Sequence, residues 1–305
     1  MKKIHILPLL VLLQIFAACN KKEVVQLSFD VSTDKNSYQV GDTVNFLLSG
    51  NPDQLVFFSG EEGHKYIYKE RTEAESDEIT LEFATNRRYG SDAKQPESLR
   101  LLASQTYDGT YGETSISESD WHDVTNAFTL STPQSNNNTY VSSGVVNLTE
   151  LTDLGLQLDK SKPLYFAFKY KASTGDTQPR WWINQFDIKT STTDGQILLV
   201  ADIASAGWTP IKVLPSSPVN WVLDAANILK FQGGNASTGS NEVWALSNAL
   251  KLTAVKPDTG VPLKNASTKL EVYPYVFTKS GTYTVTFVAS NINIYGESKA
   301  VKEIK

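Results

Sequence analysis

The sequence predicts an all-β protein made of two sandwiches, the first interrupted by the second. Three observations carry that expectation. Short runs alternate apolar and polar residues, as half-buried antiparallel strands do. Turn sequences recur at close spacing, among them "NPDQ", "TYDGTYG", "STGDTQP" and "KPDTG". No long apolar stripe repeats at helical spacing, and the best helical candidate, "VLDAANILKF", is short.

The chain opens "MKKIHILPLLVLLQIFAACNKK". Lys2 and Lys3 make a basic start, Ile4 to Phe16 an apolar run, and Ala17 and Ala18 a small-residue step before Cys19. The run is short for a bilayer span, so residues 1–18 read as a cleaved signal. Cys19 is the single cysteine of 305 residues. It stands where a bacterial lipobox carries the residue that is diacylated, and the segment resembles one. Residues 19–23 would then be a lipidated tether to the membrane. Two acyl chains hold firmly, since each buried CH₂ contributes about 0.8 kcal/mol. Cleavage removes two lysines and no acid, so the net charge moves from −5 to −7. That balance argues against nucleic acid, whose phosphates call for clustered Lys and Arg. With no second cysteine, stability must come from apolar cores.

Near the far end, "YVFTKSGTYTVTFVASN" puts Tyr283, Val285, Phe287 and Ala289 on one face and threonines on the other. A tight turn precedes that strand, and "YGESKAVKEIK" follows it as a second. No opening strands lie directly upstream. They lie near the start of the chain, in "VGDTVNF" (Val40 to Phe46) and "FFSGEEG" (Phe57 to Gly63). The two segments together resemble the closing and opening halves of a PKD-like, immunoglobulin-like domain. Each half alone would leave an apolar strand face without a partner. The expected domain is therefore discontinuous, 24–69 plus 271–305, with 70–270 inserted. Insertion at a loop tip is easy where entry and exit points are close.

Within the insert, "ASQTYDGTYG", "DWHDVT", "VNLTEL", "LYFAFKY" and "RWWINQF" follow one another. Their order resembles the galactose-binding-like jelly rolls of choice-of-anchor modules. Asn184 stands where that last motif commonly has Asp, which argues against a structural calcium ion. No cofactor and no metal are expected. Residues 196–270 read either as a permuted half of the same sandwich or as a second small β-unit. One sandwich is favoured, because so short a segment makes a marginal core without disulfides.

The chain as a whole resembles Bacteroidetes lipoproteins of unknown function that accompany SusC/SusD-type glycan uptake, in a role like that of SusE and SusF. The resemblance rests on the lipobox, the split PKD-like frame and the "SGEEG" turn. It implies outer-membrane attachment, exposure at the cell surface and a binding role. The implied partners are an oligo- or polysaccharide, SusC/SusD-like proteins, and the membrane through the lipid.

No nucleophile elbow, zinc-protease helix, P-loop or dinucleotide fingerprint is present. His64 and His122 read as surface or structural residues. Carboxylate pairs such as Glu61 with Glu62, or Asp187 with Asp194, are too unspecific to name a hydrolase. The chain is therefore expected not to be an enzyme. The six tryptophans are more informative. Sugars lay their C–H faces on aromatic rings while polar side chains read the hydroxyls. In "RWWINQF", neighbouring Trp181 and Trp182 must point to opposite faces of a strand. Trp182 alternates with Phe186 and is expected in the core, which leaves Trp181 as the outward platform. Arg180, Asn184 and Gln185 are its polar neighbours. Trp208 and Trp221 are further platform candidates, and Trp244 is expected in the core. "DTV", Asp42 to Val44, fits a short bacterial O-glycosylation pattern. The sites at Asn137, Asn147, Asn235 and Asn265 carry little weight in a bacterium.

Two functional expectations follow. The first is a non-catalytic, surface-anchored lipoprotein that binds glycans as an accessory to polysaccharide uptake. The alternative is a structural or adhesive β-sandwich module that binds a protein, such as a transporter component. Fold alone does not separate them.

Overall fold

A computed structural model describes residues 26–112, 116–193, 195–293 and 296–304. The signal segment, Cys19 and the tether lie outside the described residues. Strands hold 42% of the residues and helical turns 6%, so the protein is all-β. Strands β1 (Phe29–Ser32), β2 (Thr43–Gly50) and β3 (Gln54–Phe58) come first. Then come β4 (Ser76–Arg88), β5 (Leu99–Ser104), β6 (His122–Asp123), β7 (Val141–Ser142), β8 (Val146–Asn147), β9 (Tyr165–Ala172) and β10 (Arg180–Thr192). They are followed by β11 (Ile197–Ala201), β12 (Thr209–Lys212), β13 (Trp221–Leu223), β14 (Leu229–Phe231) and β15 (Asn241–Leu246). The chain closes with β16 (Val261–Lys264), β17 (Val272–Val276), β18 (Val285–Asn293) and β19 (Gly296–Ile304).

The chain divides into two units. One runs to Lys69 and resumes at Asp258; the other is the continuous stretch Glu70–Pro257. In the discontinuous unit, alternation along β2 buries Val44, Phe46 and Leu48, and alternation along β18 buries Val285, Phe287 and Ala289. Strand β18 pairs with β3, placing Phe287 opposite Phe57, and β17 pairs with β2, placing Tyr273 opposite Phe46. The early and late strands are thus hydrogen-bonded into common sheets, ordered β1-β2-β17 and β16-β3-β18-β19. Phe46, Phe57 and Phe287 meet between those sheets with ring centroids 5.1 to 5.7 Å apart. The turn after β3 needs its glycine. Gly60 has φ +80°, and a Cβ there would stand 2.6 Å from the Thr284 carbonyl oxygen.

The boundary differs from the expected 271. Residues 258–270 belong to the discontinuous unit, because β16 pairs with β3, Val261 opposite Phe57. Asp258 ties the return point down. Its Oδ2 accepts from the Lys65 amide at 2.8 Å, and its own amide donates to the Tyr68 carbonyl at 3.1 Å.

The continuous unit is one sandwich. Its seven-stranded sheet has the order β13-β14-β10-β4-β7, with β11 on β10 and β8 on β4. Its five-stranded sheet has the order β12-β15-β9-β5-β6. Ile79, Leu81 and Phe83 of β4 pack with Ile183, Phe186 and Ile188 of β10 against Phe166, Phe168 and Tyr170 of β9. Strands from residues 197–246 enter both sheets, so this stretch completes the sandwich rather than forming a second unit. A second apolar cluster, including Trp121, Tyr107, Tyr165 and Trp244, forms apart from that core.

Candidate functional site

Strand β10 positions most of the residues of interest, and one irregularity decides which way they face. Ile183 pairs with Thr85 of β4, but Gln185 pairs with the adjacent Ala84. Asn184 is the extra residue of a β-bulge, which flips the alternation. The buried positions run Trp181, Ile183, then Phe186 and Ile188. Trp182 is therefore half-buried on the opposite face and Trp181 is only 2% exposed. Both expectations from plain alternation are reversed, and the bulge is the reason. Trp181 Nε1 donates to Ser98 Oγ at 3.0 Å.

The other platform candidates also prove interior. Trp221 is buried and its indole N–H donates to the Val243 carbonyl at 3.1 Å. Trp208 is half-buried between Phe168 and Phe186, with centroid distances of 5.3 and 5.0 Å, and donates to the Ile203 carbonyl. Each indole lines the core and has its one donor met by a carbonyl, so neither offers a free face. Trp244 is buried, as its sequence context predicts. Asn184 is exposed at the bulge, and Gln185 donates to Asp187 Oδ2 at 2.9 Å.

Trp181 nonetheless borders a cleft of about 420 Å³ at the ends of β4 and β5. Its walls are Arg87 and Asp92, the segment Glu97 to Arg100, the turn Asp123 to Asn126, and Leu130 to Thr132. Arg87 is the residue that sequence reasoning missed. Along β4 the inward row is Ile79, Leu81, Phe83, Thr85 and then Arg87, which is 4% exposed. A charge continuing an apolar row was the available signal. The Arg87 guanidinium carbon lies 5.4 Å from the Trp181 ring centroid, and Nη1 donates to Asp92 Oδ1 at 2.5 Å. Its Nε and Nη2 have no hydrogen-bond partner among the described residues. Across the cleft, Arg100 pairs with Glu97 and with Asp123, the latter at 3.2 Å. Burial lowers the Arg100 pKa, but Glu97 and Asp123 outweigh it and hold the pKa above the ordinary value. Asp123 Oδ1 also accepts from the Thr125 amide at 3.0 Å, which fixes that turn. Glu97 has φ +50°, a strained backbone for a residue with a Cβ. The cleft thus joins one indole to several donors and acceptors, with no His or Cys among its walls.

On the opposite face of the same sheet, Trp182 sits under cations. The Arg180 guanidinium carbon is 3.9 Å from its ring centroid, and Lys230 Nζ is 4.4 Å away. Lys230 pairs with Asp224. Arg180 is 3% exposed and donates to Asn86 Oδ1. Burial lowers its pKa first, and the neighbouring Arg88 adds to that shift. These cations engage the Trp182 ring, leaving little π surface for a sugar.

The remaining candidates lie elsewhere. His64 Nδ1 is 2.6 Å from the Thr259 carbonyl oxygen, and Glu61 accepts the Tyr275 hydroxyl at 2.5 Å. His122 lies in β6, where its ring lines the space a Cβ on Gly155 would need. Asp187 stands 3.9 Å from Lys189 Nζ, while Asp194 lies outside the described residues. Thr43 is exposed at the first position of β2. Among the described residues no three His, Cys, Asp or Glu side chains converge to hold a metal ion, and no helix is long and apolar enough to cross a membrane.

The model of a family described as a domain of unknown function, DUF5017, matches residues 18–208. That stretch takes in β1 to β11. No curated protein and no solved structure matches the chain.

Proposed function

The chain belongs to the DUF5017 family, and because that family's description states no function, we propose one from the geometry: a non-catalytic, surface-anchored lipoprotein that binds glycans as an accessory to polysaccharide uptake. The observation that carries this reading is the cleft beside Trp181. Ligand sites bring a few convergent donors and acceptors together in a concavity of a few hundred Å³. Here Arg100 and Asn126 supply donors, Asp92 and Asp123 supply acceptors, and the Trp181 indole, buried beside Arg87, backs the wall rather than presenting a platform. The acids are held in ion pairs with the arginines, which suits reading hydroxyls rather than passing protons. Attachment to the outer membrane through Cys19 is part of the same proposal and rests on the sequence.

The test is affinity electrophoresis of the chain from Cys19 onward through gels containing a panel of neutral and acidic polysaccharides. Retardation by at least one is expected. It should be lost in Asn126→Ala and Arg100→Gln, which change exposed or half-buried walls rather than the core. Free migration through every gel would overturn the glycan reading and leave a protein partner as the alternative. Labelled palmitate incorporated by the wild type and not by Cys19→Ala would establish the anchor.

A further inference from the structure

The most unusual electrostatic feature of the continuous unit is a pair of arginines facing each other across two strands. Arg180 of β10 pairs in register with Arg88 of β4, so their side chains leave the same face of the sheet. Like charges directly opposite in a sheet repel, and such pairs are ordinarily avoided or separated by an acid. Here no carboxylate pairs with either arginine among the described residues. The acids nearby are taken, Asp92 by Arg87 and Asp224 by Lys230. Both guanidiniums instead donate to a neutral atom, Asn137 Oδ1, and Arg180 donates to Asn86 Oδ1 as well. The Nε of each has no partner among the described residues, and neither does Trp182 Nε1 beside them. The chain as a whole is acidic, so this concentration of unopposed cations is local.

The loop that carries Asn137 is moored to the sheet independently of Asn137. Asn86, fully buried on β4, donates to the carbonyls of Asn136 and Thr139. Asn136 Oδ1 in turn accepts from the amides of Asn138 and Thr139, at 2.8 and 2.9 Å. Those bonds hold the loop backbone, while the Asn137 side chain is exposed over the two arginines. Two guanidiniums aimed at a single oxygen suit the oxygens of an anion better than one amide carbonyl.

We propose that Arg88 and Arg180 form an oxyanion site in which Asn137 Oδ1 holds the place of a ligand oxygen, and that the ligand group is a sulfate or carboxylate carried by an acidic saccharide. The oxyanion site stands on its own geometry; its assignment to a saccharide rests on the glycan reading above. On binding, the Asn137 side chain turns to solvent and the anion takes both guanidiniums.

Inorganic sulfate is the first probe, titrated calorimetrically into the chain from Cys19 onward at constant ionic strength. Wild type is expected to bind with a saturable isotherm. Arg88→Gln, at a half-buried position, is expected to weaken binding about tenfold or more, as loss of a charge-assisted contact does. Asn137→Asp supplies the missing carboxylate from within. It should abolish sulfate binding while raising the melting temperature in sulfate-free buffer. Equal sulfate responses in all three proteins, or none in wild type, would overturn the site. The second probe is a sulfated polysaccharide and its desulfated form. Retention of the sulfated form over the desulfated one, lost in Asn137→Asp, supports the saccharide assignment. Sulfate binding with no preference between the two polymers would overturn that assignment and leave a free-anion site. Loss of retention in Asn126→Ala alone would place glycan binding in the cleft, without the arginine pair.

Discussion

Trp181 and Trp182 are chemically identical neighbours with different fates. Trp181 faces inward, has its N–H met by Ser98, and borders the cleft under Arg87. Trp182 faces outward, has an N–H with no partner among the described residues, and lies under Arg180 and Lys230. The difference arises a few residues later, at the bulge around Asn184. Side-chain direction in a strand is a property of register, so one unpaired residue reassigns every position on one side of it. The lesson is that two equal sequence candidates can be separated by a defect that neither contains.

The comparison can be broken most severely by Trp181→Ala, which should cost about 3–5 kcal/mol, the range for emptying a buried aromatic site. All six tryptophans lie between residues 121 and 244, so their fluorescence during urea unfolding reports that unit alone. A Trp181→Ala variant with the wild-type midpoint would refute the inward face given to that ring. Ser98→Ala leaves the Trp181 donor buried without an acceptor and should cost about 1–3 kcal/mol in the same assay. Trp182→Ala should cost least, about 1 kcal/mol, because a half-buried ring under two cations gives up mainly cation–π contacts. If Trp182→Ala proves costlier than Trp181→Ala, the assignment of faces is wrong.

A pH experiment sharpens the same contrast between inner and outer faces. Burial raises the pKa of Tyr170, whose hydroxyl donates to the Pro179 carbonyl at 2.8 Å. The folded state therefore holds that proton more tightly than the unfolded chain. Its contribution is complete below the unperturbed phenol value of 10.0 and fades as pH rises beyond it. Urea midpoints for the wild type should fall above about pH 10, and Tyr170→Phe should flatten that fall. An unchanged slope in the variant would show that other groups set the alkaline limit.

Much of the fold was legible because it follows from alternation. The inward row of β2 and that of β18 were visible as Val44, Phe46, Leu48 and Val285, Phe287, Ala289. The "SGEEG" turn was legible too, but the approach of the Thr284 carbonyl that its first glycine admits was not. Strand β16 was not. "VPLK" is short, carries Pro262, and pairs irregularly with β3, so it lacks the signature of a strand and moved the boundary by a dozen or so residues. The site was less legible than the fold. Arg87 had a signal, a charge at an inward position, whereas the Arg88–Arg180 opposition depends on cross-strand register that one strand's sequence does not contain. Trp208 and Trp221 carried no sign of their burial, since an indole at a loop or in a three-residue strand reads the same whether it serves a ligand or a core.

The pairing of β3 with β18 also sets an order of events during synthesis. The ribosome delivers β3 early, yet its sheet partner arrives only after the whole of Glu70–Pro257 has emerged. An unstructured segment of that size makes closure entropically dear, by about 0.6 kcal/mol for every doubling of its length. Once the intervening sandwich has collapsed, Tyr68 and Asp258 stand within one amide–carbonyl contact, and the waiting strand is presented with its mate. The discontinuous unit thus acts as a clasp that shuts last, and a defect in the guest should surface first as a frame that never closes.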